Sequence, residues 1–236
     1  MGLNRDDVVG IALVLLDERG MDGLTTRSVA DRLGVRVSAL YRHVRDKREL
    51  LAEVADRVLT EVRFPSPCGE DWERQLRDVA HRLRGVLLAH RDGARLFTEY
   101  ASDLPGTLRL VEGCLGILHG HGVPLPAAAY AGNAVLSFVS GFVLQEQGAT
   151  GLRRGPAGTP GAPRTRRAPV PGVPRRPAPV PPGPFADLAR GTEFPLLSRW
   201  TAVRPATQDL AFATGLDHLL AGIRVRLFDD PDPVTA

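Results

Sequence analysis

With 236 residues, 43% of them apolar, the chain is long enough for one or two domains and a sizeable core. No run of 18 apolar residues occurs, and two cysteines 46 positions apart make neither a zinc motif nor a disulfide framework, so membrane-spanning, zinc-finger and disulfide-stapled classes are disfavoured. The net charge of +3 misleads, because residues 151–184 hold seven arginines and no acid, and without them 23 basic side chains face 27 acidic ones. Residues 1–63 balance at 11 of each sign, so any case for nucleic-acid binding must come from a local cluster. The N-terminus has no signal-peptide cleavage pattern, and Asp6 stands where myristoylation would need Ser or Thr. A cytoplasmic protein is expected.

Asn4 is placed to cap a first helix, with Asp6 and Asp7 in the turn where the helix dipole favours anions. Val8, Ile11, Ala12, Leu15 and Leu16 form its apolar stripe, and Gly20 ends it. The stretch Thr25 to Val44, TTRSVADRLGVRVSALYRHV, then reads as two short helices joined by a tight turn. Thr25 is an N-cap; Val29, Ala30 and Leu33 face inward; Gly34 supplies the left-handed stop. A second apolar set, Val37, Leu40, Tyr41 and Val44, follows at three- and four-residue spacing. A small residue at Ala30, a glycine turn and a buried Leu40 make the pattern of a helix-turn-helix. Its exposed face is basic, with Arg36, Arg42, His43, Arg45, Lys47 and Arg48 against the single acid Asp46. Such cations neutralise phosphates and release counterions, whereas an ordinary helical hairpin would merely solvate them.

Asp46 to Glu49 resembles a capping box opening a helix to about Val62, with Leu50, Leu51, Val54, Ala55, Val58 and Leu59 apolar. The sequence Phe64-Pro65-Ser66-Pro67 breaks the chain there. Further helices are predicted over Glu70 to Ala89, Arg91 to Tyr100 (broken by Pro105), Thr107 to about Gly120, Pro126 to Gly148 and Thr207 to Leu227. The stretch 126–148 is apolar nearly all round, so it must be buried on every side. It and 207–227 are candidates for a two-fold dimer interface, the bland alternative being burial within one chain. Residues 151–184 carry 11 prolines and six glycines, which exclude helix. They read as a disordered connector rather than a basic arm that touches DNA or closes over a ligand.

The segment GLTTRSVADRLGVRVSALYRHVRDKRELL resembles the N-terminal DNA-binding domain of the TetR family of transcriptional repressors. Asp71-Trp72, LRGVLLAHRDGAR from Leu83 to Arg95, and the apolar segment ending Gly141-Phe142-Val143-Leu144-Gln145-Glu146-Gln147 resemble its tetracycline-repressor branch. The resemblance covers residues 5–148 and, more weakly, 194–228. It implies an all-α fold: a helix-turn-helix DNA-binding domain at 1–48, a connecting helix at 46–62, and a ligand-binding and dimerisation domain at 63–236.

Carried over residue by residue, the resemblance places Thr26 and Arg27 on phosphate and base. Arg36, Val37, Ser38 and Tyr41 fall on the exposed side of the recognition helix, and His43 and Lys47 on phosphates. Val37 and Ser38 stand where that branch has Gln and Pro, so the operator should differ; a valine contacts a thymine methyl but reads no hydrogen-bond pattern. In the branch, a His that binds the drug's magnesium falls at Phe97, and an acidic residue falls at Gln145. Polar drug contacts fall at Val79, Ala101 and Cys114. Phenylalanine cannot ligate magnesium, so tetracycline–magnesium binding is not expected. Val79, Leu83, Phe97, Tyr100, Cys114, Phe142 and Gln145 are read instead as an apolar, partly aromatic pocket, each being equally at home in a plain core.

Other chemistry is weak. His119-Gly120-His121 lacks a third metal ligand, and His90-Arg91-Asp92 sits at a helix junction where Asp92 is a plausible N-cap. No nucleophile elbow, phosphate loop or dinucleotide fingerprint occurs, and no cofactor or catalytic residue is expected. The reading is a homodimeric repressor that binds palindromic double-stranded operator DNA and releases it on binding a small apolar effector, with no membrane partner. Its competitors are a helical metal-dependent enzyme, marked by stoichiometric zinc or iron, and a constitutive DNA-binding protein whose affinity no small molecule moves.

Overall fold

The computed structural model describes residues 3–64, 71–152, 195–196, 199 and 207–229, and among these every regular element is helical. The chain divides into one compact unit, residues 1–153 with 219–236, and a second, residues 154–218. The expected connector at 151–184 lies outside the described residues, apart from the last two residues of a helix that runs to Leu152.

Helix α1 spans Arg5–Gly23. Asn4 accepts from the Asp7 N–H at 2.8 Å and Asp7 returns the bond to the Asn4 N–H at 3.3 Å, so both caps are satisfied reciprocally. Val8, Val9, Ala12, Leu15 and Leu16 are buried. At Gly20 the backbone turns to φ 77°, and the helix resumes for one short turn before Leu24. Helix α2, Thr26–Leu33, repeats the reciprocal cap between Thr25 and Ser28, each bond 3.0 Å. It ends at Gly34 in the left-handed region at φ 68°.

The recognition helix α3 covers only Val37–Leu40. Beyond it the chain continues in hydrogen-bonded turns, His43 and Val44 both donating to the Leu40 carbonyl at 2.8 and 3.0 Å. Leu40 and Val44 are buried and anchor this segment. Helix α4 spans Lys47–Leu59, three residues short of the expected end. Asp46 caps it by accepting from the Glu49 N–H at 2.8 Å. The Glu49 carboxylate reaches one residue further back than a capping box would, to the Arg45 N–H at 2.6 Å. Glu49 thus ties the end of the recognition segment to α4.

Helices α5 (Trp72–Ala89), α6 (Gly93–Tyr100), α7 (Pro105–His119) and α8 (Leu125–Leu152) pack against one another, and α4 against α1, α5, α6 and α7. Pro105, expected as a breaker, is instead the first residue of α7, where its missing N–H costs nothing. The next N–H, of Gly106, donates to the Asp56 carboxylate of α4, so a neighbouring helix supplies the cap. Only glycine fits there, since a Cβ would lie 2.8 Å from both Asp56 Oδ1 and Leu59 Cβ. Helix α8 is long and apolar enough over Leu125–Gly148 to cross a membrane by length and composition, at mean hydropathy 1.5, but half of that stretch is buried in the fold.

Helix α9, Gln208–Arg224, buries Phe212, Leu216 and Leu220 and unwinds into a π turn at Val225–Asp229. Trp72 at the start of α5 stacks on Phe228 with centroids 5.4 Å apart, and the Arg224 guanidinium covers the other partner of that stack, 5.6 Å from the Trp72 ring.

Candidate nucleic-acid interface and effector cavity

The helix-turn-helix presents its expected face outward. Arg27, Arg36 and Ser38 are exposed, Thr26, Val37 and His43 half-buried, and Tyr41 is 54% exposed, large for an aromatic ring without an apolar partner. Ion pairing divides the arginines in a way the sequence did not. Arg32 is spent on Glu18, its NH2 2.6 Å from the carboxylate, and Arg45 on Glu49. Arg27, Arg36 and Arg42 form no ion pair among the described residues. These three guanidiniums are exposed, as are Ser38 and Tyr41, and can exchange water for phosphate oxygens or guanine edges.

The paired groups hold the frame. The hydrogen bond from Arg32 holds the Glu18 carboxyl below its ordinary range. Glu49 is lowered first by the Arg45 backbone N–H, then by the side chains of Arg45 and Arg5. Lys47 also has a partner inside the fold: its ammonium donates to the Met21 carbonyl at 3.0 Å, capping the end of α1.

The seven residues expected around an effector lie on α5, α6, α7 and α8. Val79 and Leu83 have no exposed surface and are core residues of α5. Phe97 is half-buried on α6, and Gln145 is exposed on α8. Tyr100 carries the Arg48 guanidinium 5.8 Å above its ring, which turns it toward α4. Phe142 lies between Phe138 and the Arg84 guanidinium, 5.8 and 5.9 Å from its centroid. Arg84 is in turn bonded through Nε and NH2 to Glu146 at 2.9 and 2.8 Å, a buried bidentate pair joining α5 to α8.

Of these residues, Cys114 lines a cavity between α7 and α8. That cavity, about 90 Å³, lies between α7 (Val111, Cys114, Leu115) and α8 (Ala128, Gly132, Leu136), with Asn133 as its amide. Burial pushes the Cys114 thiol up to about 12, so it is a neutral, unreactive wall. The sequence signal for this space is the run of small residues AAAYAG at 127–132, which leaves room between α8 and its neighbour.

The two histidine motifs are occupied locally. His119 and His121 turn Nδ1 toward the carbonyls of Val123 and Ile117, at 3.0 and 2.7 Å, and among the described residues no group of three potential ligands could hold a metal. Asp92 stands before α6 as expected but caps nothing there: in the left-handed region at φ 59°, it accepts instead from the Met21 N–H. His90 sits between Asp17 and Glu61, 3.1 and 3.4 Å away.

Comparison with known proteins agrees with this architecture. The family described as "Bacterial regulatory proteins, tetR family" matches residues 11–54, and "Tetracyclin repressor-like, C-terminal domain" matches residues 64–227. Tetracycline repressor protein class D of Escherichia coli is 39% identical over 148 residues, 61% of this chain and 67% of that protein. Among solved structures, the TetR family protein ActR of Streptomyces coelicolor in complex with actinorhodin superposes with a TM-score of 0.75 at 29% identity, covering 96% of this chain and 97% of that one. BioQ, solved with its double-stranded DNA operator, gives 0.58 at 33% identity over 65% of this chain and 93% of its own.

Proposed function

The chain belongs to the TetR family of ligand-responsive, DNA-binding transcriptional regulators, and from that premise we propose that it is a cytoplasmic homodimeric repressor, released from a palindromic operator by a small apolar molecule. The reading takes residues 1–48 as the DNA-binding domain, 46–62 as the connection, and residues from 63 onward as the part that binds effector and dimerises. The observation that carries it is that Arg27, Arg36 and Arg42 form no ion pair among the described residues and are exposed on the helix-turn-helix, as are Ser38 and Tyr41.

On DNA, Thr26, Arg36 and His43 bond phosphates, Arg27 and Ser38 reach base edges, and Val37 and Tyr41 make apolar and stacking contacts. Two copies set their recognition segments in successive major grooves about 34–36 Å apart. BioQ has been solved on its operator, and ActR with actinorhodin; the corresponding ligand here is an operator and an effector of this chain's own. The effector enters between α7 and α8. A cavity of about 90 Å³ is smaller than the roughly 300–1,000 Å³ of ordinary ligand pockets, so binding has to part those helices. A change in α7 reaches α4 through the Gly106–Asp56 bond, and with it the spacing of the two recognition segments. Effector and DNA then oppose each other reciprocally. Neither the phenyl ring of Phe97 nor the occupied imidazoles of the HGHG sequence supply a metal site for a tetracycline–magnesium ligand.

The test is a titration of the purified protein on duplex DNA from immediately upstream of its own coding sequence, repeated across salt. A sequence-specific complex of two protomers whose affinity falls steeply with salt supports the reading. Weak binding indifferent to sequence overturns it.

A further inference from the structure

Met21 is held by both of its backbone polar groups. Its N–H donates to Asp92 Oδ2 at 2.8 Å, and its carbonyl accepts from Lys47 Nζ at 3.0 Å. Met21 itself is buried, so each bond is charge-assisted in a site with little competing water. Lys47 is the first residue of α4 and follows directly on the recognition segment. Asp92 is the corner between α5 and α6. A single residue at the end of α1 therefore joins the corner of the effector-side helices to the junction that carries the DNA-reading residues.

The surroundings are built for that contact. Gly20, at φ 77°, lets the chain turn beneath the corner; a Cβ there would lie 2.6 Å from Asp92 Oδ2 and 2.9 Å from Arg91 Nε. Arg91 fastens the corner to α1 twice, from its N–H to Asp17 at 3.1 Å and from NH1 to the Glu18 carbonyl at 3.0 Å. From the other side, Gln147 of α8 donates to the carbonyls of Leu87 and His90 at 2.9 and 2.8 Å and accepts from the Ala94 N–H at 3.0 Å. The corner is thus held on both flanks, and its carboxylate that reaches the end of α1 is that of Asp92.

We propose that Asp92 and Lys47 are positioning residues for DNA binding, acting as a pair through Met21 to fix how α1 and the α3–α4 junction present the recognition segment. The inference rests on the operator-binding reading. Lys47 then contributes to affinity without touching phosphate, and Asp92 contributes from outside the DNA-binding domain.

A double-mutant cycle on the upstream duplex tests this. Asp92→Ala and Lys47→Met should each weaken binding about tenfold, the scale of one charge-assisted bond, and the double variant should lose no more than either alone. Lys47→Met should leave the salt slope unchanged, whereas a lost phosphate contact would lower it by about one per protomer. Lys47→Arg, which keeps the donor, should restore affinity. In the protein alone, hydrogen exchange at the Met21 amide should quicken in Lys47→Met, although Lys47 does not touch that N–H; titration of the active fraction separates this from general unfolding. A reduced salt slope, additive losses, or an unchanged Met21 amide overturns the pairing. A wild-type protein that fails to bind the duplex overturns the regulator reading and this inference with it, while wild-type binding with additive losses overturns the inference alone.

Discussion

Tyr41 is 54% exposed on the recognition segment. Leaving that much aromatic surface in water gives up roughly half of the 1.5–3 kcal/mol that fully burying a large apolar side chain would return. A partner surface recovers it. Tyr41→Ala and Arg27→Ala should therefore each weaken operator binding about tenfold, by fluorescence anisotropy, with the dimer mass unchanged in sedimentation. A variant that dissociates into monomers would place the residue in the fold rather than on DNA. Cys114 is the opposite case, a reactive group type made inert. Its thiol is raised from 9.0 to about 12 by burial, so it stays neutral in the folded state at every ordinary pH. The sign follows: any stability from keeping it buried is complete below the unfolded value of 9.0 and is lost as pH rises through the folded one. At pH 8 the peptide bearing Cys114 should remain unmodified by iodoacetamide in native protein and react fully in denaturant. Rapid native labelling, read by mass spectrometry, would show that the α7–α8 space opens far more than its volume implies.

Among the elements, what was legible in the sequence is what side chains write locally. Asn4, Thr25 and Asp46 cap because a short polar side chain beside an apolar-periodic run has few other uses, and Gly34 stops α2 because few other residues take φ 68° cheaply. Three features were not legible, each because its cause lies elsewhere in the chain. Pro105 reads equally as a stop or a start, and Asp56, about fifty residues earlier, decides for a start by capping Gly106. Asp92 looks like a cap for α6, but the Met21 N–H claims its carboxylate. The length of α3 is invisible to periodicity, because Leu40, Tyr41 and Val44 keep helical spacing through turns that are no longer α-helical.

Element ends also yield predictions. Gly106→Ala forces a Cβ against the backbone-facing side of α4 and should lower unfolding free energy by about 1–3 kcal/mol in urea titration. Glu49 ties Arg45 to α4 with its carboxyl held below 4.5. Its contribution is present above that value and fades as pH falls through the lowered one. Glu49→Gln should lower the neutral region of the melting profile slightly and leave the most acidic region nearly unchanged, so that the acid limb becomes shallower. An acid limb identical to wild type would assign that loss of stability to other carboxylates.

At the scale of the molecule, the α7–α8 cavity was illegible for a physical reason: a cavity is the absence of side chains where two helices meet. Val79, Leu83, Phe97, Tyr100, Phe142 and Gln145 were chosen for what their side chains offer, and they range from fully buried Val79 and Leu83 to exposed Gln145. The space belongs to Gly132, Ala128 and the thin face of α7, with Cys114 alone common to both sets. Effector entry and operator release should therefore be separable by filling that space from its rim. Val111 is 37% exposed and lines the cavity from α7, so Val111→Phe can enlarge inward without overpacking the core. The variant should bind the upstream duplex with wild-type affinity, because no DNA-facing residue and no contact of Met21 is altered. Compounds found to release wild-type protein from the duplex should need at least about tenfold higher concentration against it, the cost of losing one well-filled apolar contact. Equal potency on both proteins would move the effector away from α7 and α8. A parallel loss of DNA affinity would instead show that α7 sets the resting position of α4 through Asp56 even when the cavity is empty of effector.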